Sequence, residues 1–185
     1  KPGLVGIPAG PEICIMNDKN EKLSQGEIGE ICIKGDNVTN GYENNLEANK
    51  KSFFNFEGER WFRTGDQGAF DHDGYLSLTG RLKEIINRGG EKISPLEVDE
   101  VLMDHPSVAQ VVTFAVPHEK LGEDVAAAVV FEEGSEVTES DLRAFALDRM
   151  VDFKVPKQIV ILSEIPKGAT GKLQRIGLAE KLGLS

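Results

Sequence analysis

Apolar positions in residues 1–80 come in short runs closed by turn-forming residues. Glu12-Ile13-Cys14-Ile15-Met16 runs into Asn17-Asp18, and Ile28-Gly29-Glu30-Ile31-Cys32-Ile33 runs into Lys34-Gly35. Runs of this length with such ends predict β-strands, and the frequent glycines suit the corners of a barrel or sandwich. One short helix is expected over 46–53, and Asp71-His72-Asp73-Gly74 predicts a tight turn before a strand over 75–79. Nothing in this half alternates strands with long helices.

Beyond Arg81 the pattern changes. Ser94-Pro95-Leu96-Glu97 places a cap residue, a proline at the first helical position and a glutamate at the third, the signature of a capping box. Ile93 and Val98 flank it at the spacing of a hydrophobic staple. Val98, Val101 and Leu102 continue at helical intervals until His105-Pro106. Two β-rich runs follow, over 108–116 and 125–131. Thr138 then caps a helix carrying Leu142, Phe145, Ala146 and Met150 on its apolar face, and a third strand is expected over 158–162. The order predicts a small α+β domain with helices about a short sheet. The fold class expected is therefore α+β: a small antiparallel β-barrel-like subdomain over 1–80, then a second domain over 81–185.

Composition narrows the function classes. The chain has 185 residues, 39% of them hydrophobic, with 21 Lys+Arg against 31 Asp+Glu, a net charge of −10. This is the size of one ordinary domain or two small ones. No stretch approaches the roughly 18 to 20 apolar residues of a membrane span, and Lys1-Pro2-Gly3-Leu4 lacks a signal core, so a cytoplasmic location is expected. An acidic balance disfavours nucleic acid, which demands a dense Lys/Arg footprint. Residues 154–185 differ: Lys154, Lys157, Lys167, Lys172, Arg175 and Lys181 face only Glu164 and Glu180, net +4, which suggests a small anionic partner. Cys14 and Cys32 match no metal or redox spacing and read as buried thiols.

Three glycine-bearing stretches could carry chemistry. Trp61-Phe62-Arg63-Thr64-Gly65-Asp66 taken alone is a turn in which aspartate bonds nearby amides. In Asn87-Arg88-Gly89-Gly90-Glu91-Lys92, paired glycines let the backbone approach a ligand while Arg88 and Lys92 offer positive charge. Pro166-Lys167-Gly168-Ala169-Thr170-Gly171-Lys172 lacks the first glycine and the βαβ context of a P-loop. What remains is a lysine on a loop, suited to meet phosphate as a point charge.

Together and in this order, these stretches resemble the adenylate-forming superfamily of acyl-CoA synthetases, aryl-acid ligases, luciferases and adenylation domains. Gly29-Glu30-Ile31-Cys32-Ile33-Lys34-Gly35, Gly41-Tyr42, Gly80-Arg81-Leu82-Lys83-Glu84 and Phe153-Lys154-Val155-Pro156 fall in register with the same family's later motifs. The run from Ile86 to Pro95 is most similar to CoA synthetases of the oxalyl-CoA and 4-coumarate-like group.

The resemblance implies two half-reactions: a carboxylate attacks the α-phosphate of MgATP to give an acyl-adenylate, and the thiol of CoA then displaces AMP. It implies that Asp66 and Arg81 bind the nucleotide ribose, that Lys172 is the catalytic lysine of adenylation, and that Lys83 is a hinge. About that hinge a mobile C-terminal lid, 81–185, would swing to present Gly89 and Gly90 to pantetheine. No metal ligand is expected on this chain. Many members have lysine at the position of Asn87 and glutamine at that of Lys92, so side-chain roles there are not carried over. The family's phosphate loop and acyl pocket have no counterpart, and the chain starts just after the place of the Thr-Glu magnesium motif. It therefore reads as the C-terminal part of an enzyme, missing its N-terminal domain and inactive alone. Loading of a carrier protein and a non-catalytic binding module are the competing readings. His72, His105 and His118 have no ligand spacing, and Trp61 reads as a packing aromatic near the nucleotide.

Overall fold

A computed structural model describes residues 4–168 and 171–184. Two compact units divide at Lys83 and Glu84. Among the described residues no helix is long and apolar enough to cross a membrane.

The first unit contains β1 (Glu12–Met16), β2 (Gly29–Lys34), α1 (Leu46–Ser52), β3 (Phe53–Phe56), β4 (Glu59–Phe70) and β5 (Leu76–Arg81). They form one antiparallel sheet in the order β1-β2-β4-β3, with β5 also on β4. Both faces are packed, which explains why β1 and β2 read as continuous apolar runs. Cys14, Met16 and Cys32 join Trp61 on one face. Ile15 and Ile31 join Leu76 on the other. Cys14 and Cys32, 18 positions apart and unrelated by motif, lie directly opposite in the β1–β2 register, both buried and unbridged. The neighbouring Cys14 thiol and burial together push the Cys32 thiol up from its ordinary value.

The expected helix over 46–53 forms as α1, with Asn45 accepting from the Ala48 amide at 3.0 Å. Two features of β4 were not legible. It runs for 12 residues through Thr64-Gly65-Asp66, which the sequence taken alone reads as a turn. Its pairing with β2 also slips. Glu30 faces Gln67 and Cys32 faces Arg63, so two residues advance on β2 while four advance on β4. Thr64-Gly65-Asp66 is the bulge that absorbs the excess, with Gly65 at φ +74°.

The second unit contains β6 (Ile86–Arg88), β7 (Glu91–Ile93), α2 (Pro95–Met103), β8 (Val108–His118), β9 (Gly122–Phe131), α3 (Glu139–Leu147), β10 (Gln158–Ile161) and α4 (Leu178–Lys181). Strand β9 is central, antiparallel to β8 and parallel to β10, and β6 touches its first residue. Val125, Ala127 and Val129 face a core closed by Val98, Leu102, Leu142 and Ala146. Ala126 and Ala128 face a second core closed by Ile165 and Leu178. The alternation of period two buries both faces of β9. The α+β class and the sheet flanked by helices are as expected. The hairpin β6–β7 and the terminal α4 were not anticipated.

Capping follows the sequence signals. Ser94 accepts from the Glu97 amide at 3.4 Å, and Ile93 and Val98 are both fully buried. The Glu97 carboxylate is held by Lys154 at 2.5 Å. Thr138 and Asp141 form a complete capping box on α3. Met150 lies past the end of α3 yet still packs on its core.

Leu142 is fully buried between α3 and the sheet. Leu142→Ala should lower unfolding free energy by about 2–5 kcal/mol through the cavity it leaves, read as a lower urea midpoint at unchanged slope.

Candidate functional site

The first unit holds a cavity of about 600 Å³ between α1 and β4. Its wall includes Tyr42, Phe62, Thr64 and Gly65, with Lys51, Arg63, Arg81 and Lys83 as cations and Glu30 and Glu47 as anions. Four positive groups against two negative ones give a locally basic recess in an acidic chain, and the aromatic rings add flat apolar surface. Such a lining suits a planar, anionic ligand.

Local geometry explains how the wall is set. Glu30 on β2 pairs with Arg63, and its other oxygen accepts from the Gly65 amide at 3.3 Å. The Thr64 hydroxyl donates to the Ile31 carbonyl at 2.8 Å and accepts from the Asp66 amide at 3.1 Å. Arg63 also reaches Asn20 and covers the Phe54 ring at 4.5 Å. The Gly65 amide, the Thr64 hydroxyl and the Asp66 amide are thus held, while the Asp66 side chain extends toward Arg81. The two residues are register partners across β4 and β5, with Nε 3.2 Å from Oδ1. At 67% and 31% exposure this pair is solvated and adds little stability, so it can exchange partners with a ligand at small cost.

Asp66 and Arg81 are therefore brought together, with Arg81 and, two residues further on, Lys83 in the cavity wall. Trp61 points away from this cavity into the cluster with Cys14 and Cys32, while Phe62 lines the wall. Glu30 is the residue that sequence reasoning passed over. An acidic side chain inside the apolar run Gly29-Glu30-Ile31-Cys32 was the available signal.

In the second unit, Gly89 and Gly90 form the two-residue turn of the β6–β7 hairpin, at φ +60° and +98°. Positive φ at both positions is the primed-turn geometry that glycine satisfies without strain. The Gly89 amide donates to the Leu121 carbonyl at 2.9 Å, and a Cβ there would meet Leu121 at 3.0 Å. Gly90 has open space at its Cβ position. The charge expected from Arg88 is not available to a ligand: its Nε is bound by the buried Asp124 at 2.6 Å, which also accepts from the Val125 amide. Glu123 accepts from the Asn87 amide at 2.6 Å. The hairpin is anchored at three points.

Lys172 is exposed on a separate hairpin, where the Gly168 amide donates to its carbonyl at 2.8 Å and Lys167 bridges Leu173. Ala169 and Thr170 of this stretch lie outside the described residues, as does the Lys1-Pro2-Gly3 start. The histidines serve turns: His105 Nδ1 accepts from Ser107, and His118 Nδ1 from Lys120 and Leu121, each at 3.2 Å.

Residues 97–172 match the family described as AMP-binding enzyme C-terminal domain. Oxalate--CoA ligase from Arabidopsis thaliana is 55% identical over 175 residues, covering 95% of this chain and 33% of that protein. The chain carries the C-terminal domain of the AMP-binding enzymes. Oxalate--CoA ligase from Saccharomyces cerevisiae is 46% identical over the whole of this chain and 34% of its own length. The crystal structure of ATP-bound MatB from Rhodopseudomonas palustris superposes with a TM-score of 0.89 at 31% identity, over 97% of this chain and 36% of that one. The chain thus spans about a third of the length of these relatives.

Glu30→Gln in this member of the family should weaken the hold on Arg63 and the bulge. A loss of about 2 kcal/mol in unfolding free energy is expected, the scale of a hydrogen bond to a charged group, with Arg63→Lys costing less. Urea titration followed by Trp61 fluorescence reports it.

Proposed function

We propose that this chain is the C-terminal part of an AMP-forming acid–CoA ligase acting on a small dicarboxylate, with oxalate the first candidate. The observation that carries the reading is the cavity beside α1, whose basic, aromatic wall includes Arg81, the solvated partner of Asp66. The two oxalate--CoA ligases and the ATP-bound neighbour support it.

In the first half-reaction a carboxylate oxygen of the acid attacks the α-phosphorus of ATP, a new O–P bond forms and pyrophosphate leaves. In the second, the CoA thiolate attacks the acyl carbon, the C–S bond forms and AMP departs with its oxygen. On this proposal Asp66 accepts hydrogen bonds from ribose hydroxyls while Arg81 donates to the same sugar, so the existing ion pair is the resting form of the ribose site. Lys172 meets the negative charge that builds as pyrophosphate leaves. Residues 81–185 act as a lid hinged at Lys83, and the open flank of Gly90, beside Gly89, leaves room for the pantetheine arm. Among the described residues no group of three or more His, Cys, Asp or Glu side chains could hold a metal ion, so no step is assigned to Mg²⁺ on this chain. A cytoplasmic location belongs to the same proposal.

The test is ATP-dependent CoA consumption by the full-length protein over oxalate, malonate and aromatic acids, with AMP recorded. AMP and oxalyl-CoA from oxalate are expected; no AMP with any acid overturns the reading. Lys172→Ala should abolish ATP–pyrophosphate exchange yet retain thioester formation from supplied acyl-adenylate, and equal loss of both steps would refute the division of labour. Lys83→Pro should slow the thioester step more than adenylation. The 185-residue chain by itself is expected to give no turnover.

A further inference from the structure

Arg175 carries the most heavily committed side chain of the basic C-terminal segment. It follows Lys172 by three positions and its side chain is only 15% exposed. Its Nη1 lies 2.7 Å from Asp99 Oδ2 on α2 and donates to the Thr113 carbonyl on β8 at 3.0 Å. Its Nε donates at 3.2 Å to Glu84, the residue immediately after Lys83. Asp99 is itself fixed, since its Oδ1 accepts from the Thr113 amide at 2.7 Å. Burial pushes the Asp99 carboxyl up and the Arg175 charge pulls it back part-way, so the permanently charged guanidinium offsets the cost of burying that carboxylate. One planar guanidinium thereby joins four stretches of chain: α2, β8, the turn at Glu84 and the end of the lysine hairpin.

The apolar anchors of the segment, Ile165 and Leu178, lie outside the lysine hairpin. Leu173 and Ile176, on either side, are exposed at 43% and 63%. Lysine could not replace the contact, because a point charge lacks the fork that reaches three acceptors at once.

We propose that Arg175 is a positioning residue for Lys172, a guanidinium key that fixes the lysine hairpin to the second unit and to the turn after Lys83, so that hairpin and turn move as one body. The proposal rests on the assignment of Lys172 to adenylation, but the placement of the hairpin can be read without activity. A residue that only stabilised the fold would affect the whole unit alike. A positioning residue loosens the hairpin selectively.

The experiment is amide hydrogen exchange on the full-length protein and its Arg175→Gln, Arg175→Lys and Glu84→Gln variants, with both half-reactions assayed beside it. The reporters are the Gly168 and Gly171 amides, bonded to the Lys172 and Gly168 carbonyls at 2.8 and 2.9 Å, and the control is Leu162, bonded to Val129 at 2.9 Å. Arg175→Gln should raise exchange at Gly168 and Gly171 by about ten- to hundredfold while Leu162 stays unchanged. ATP–pyrophosphate exchange should fall by about a hundredfold, the scale of a small misplacement of a reacting group, with the thioester step largely retained. Arg175→Lys should recover part of both losses, and Glu84→Gln, which leaves Asp99 and Thr113 in place, should show the same pattern weakly. Unchanged protection of Gly168 and Gly171 overturns the proposal, and so does an equal rise at Leu162. If the wild-type protein forms no adenylate while the selective loosening is seen, the ligase reading falls and the positioning of the hairpin stands.

Discussion

Strand β4 has hydrogen-bonded neighbours on both edges: β2 on one, β3 and then β5 on the other. A regular strand of 12 residues could not follow both edges of a curled sheet. Here the register breaks against β2 between Arg63 and Gln67, and against β5 next to Gln67. The first break turns Thr64-Gly65-Asp66 out of the ladder, where Glu30 and the Ile31 carbonyl recapture its backbone and hydroxyl. The second sets Arg81 opposite Asp66. The basic cavity, its aromatic wall and the ion pair on its rim all follow from a strand that must bend twice to keep its partners.

In the second unit electrostatics plays a different part. The chain is acidic overall, and its conspicuous cations are mostly spent on holding structure. Arg88 is held by Asp124, Lys154 by Glu97, and Arg175 by Asp99 and Glu84. Arg175 offsets the desolvation that pushes the Asp99 carboxyl up. Lys172 differs in being exposed, on a hairpin whose shape comes from glycine and backbone hydrogen bonds. On the proposed function, that exposure leaves its charge available to a phosphate.

Helix caps were read correctly because their physics is local, whereas the Gly89-Gly90 hairpin turn, equally local, was passed over. Ser94 and Thr138 cap helices because a side-chain oxygen and an amide three residues on are neighbours in any helix start. The strands β1, β9 and β10 announced themselves as apolar runs. The bulge in β4 could not be read in this way, because it exists only relative to β2. Nor could the facing of Cys14 and Cys32, or the burial of Arg88 and Arg175, since each depends on a partner tens of residues away.

What the sequence by itself determined is therefore the capped helices, the apolar strands, the α+β class and, through motifs in register, the adenylate-forming resemblance with Asp66, Arg81, Lys83, Gly89, Gly90 and Lys172 as candidates. Only the tertiary structure decided which charges are free to act. It set Asp66 against Arg81 at a solvated rim, retired Arg88 into a buried pair, and revealed Glu30 and Arg175 as the braces beneath the bulge and the lysine hairpin. The reason is physical: propensity and spacing act over a few residues, whereas the availability of a charge depends on desolvation and on the opposite charge that folding brings beside it.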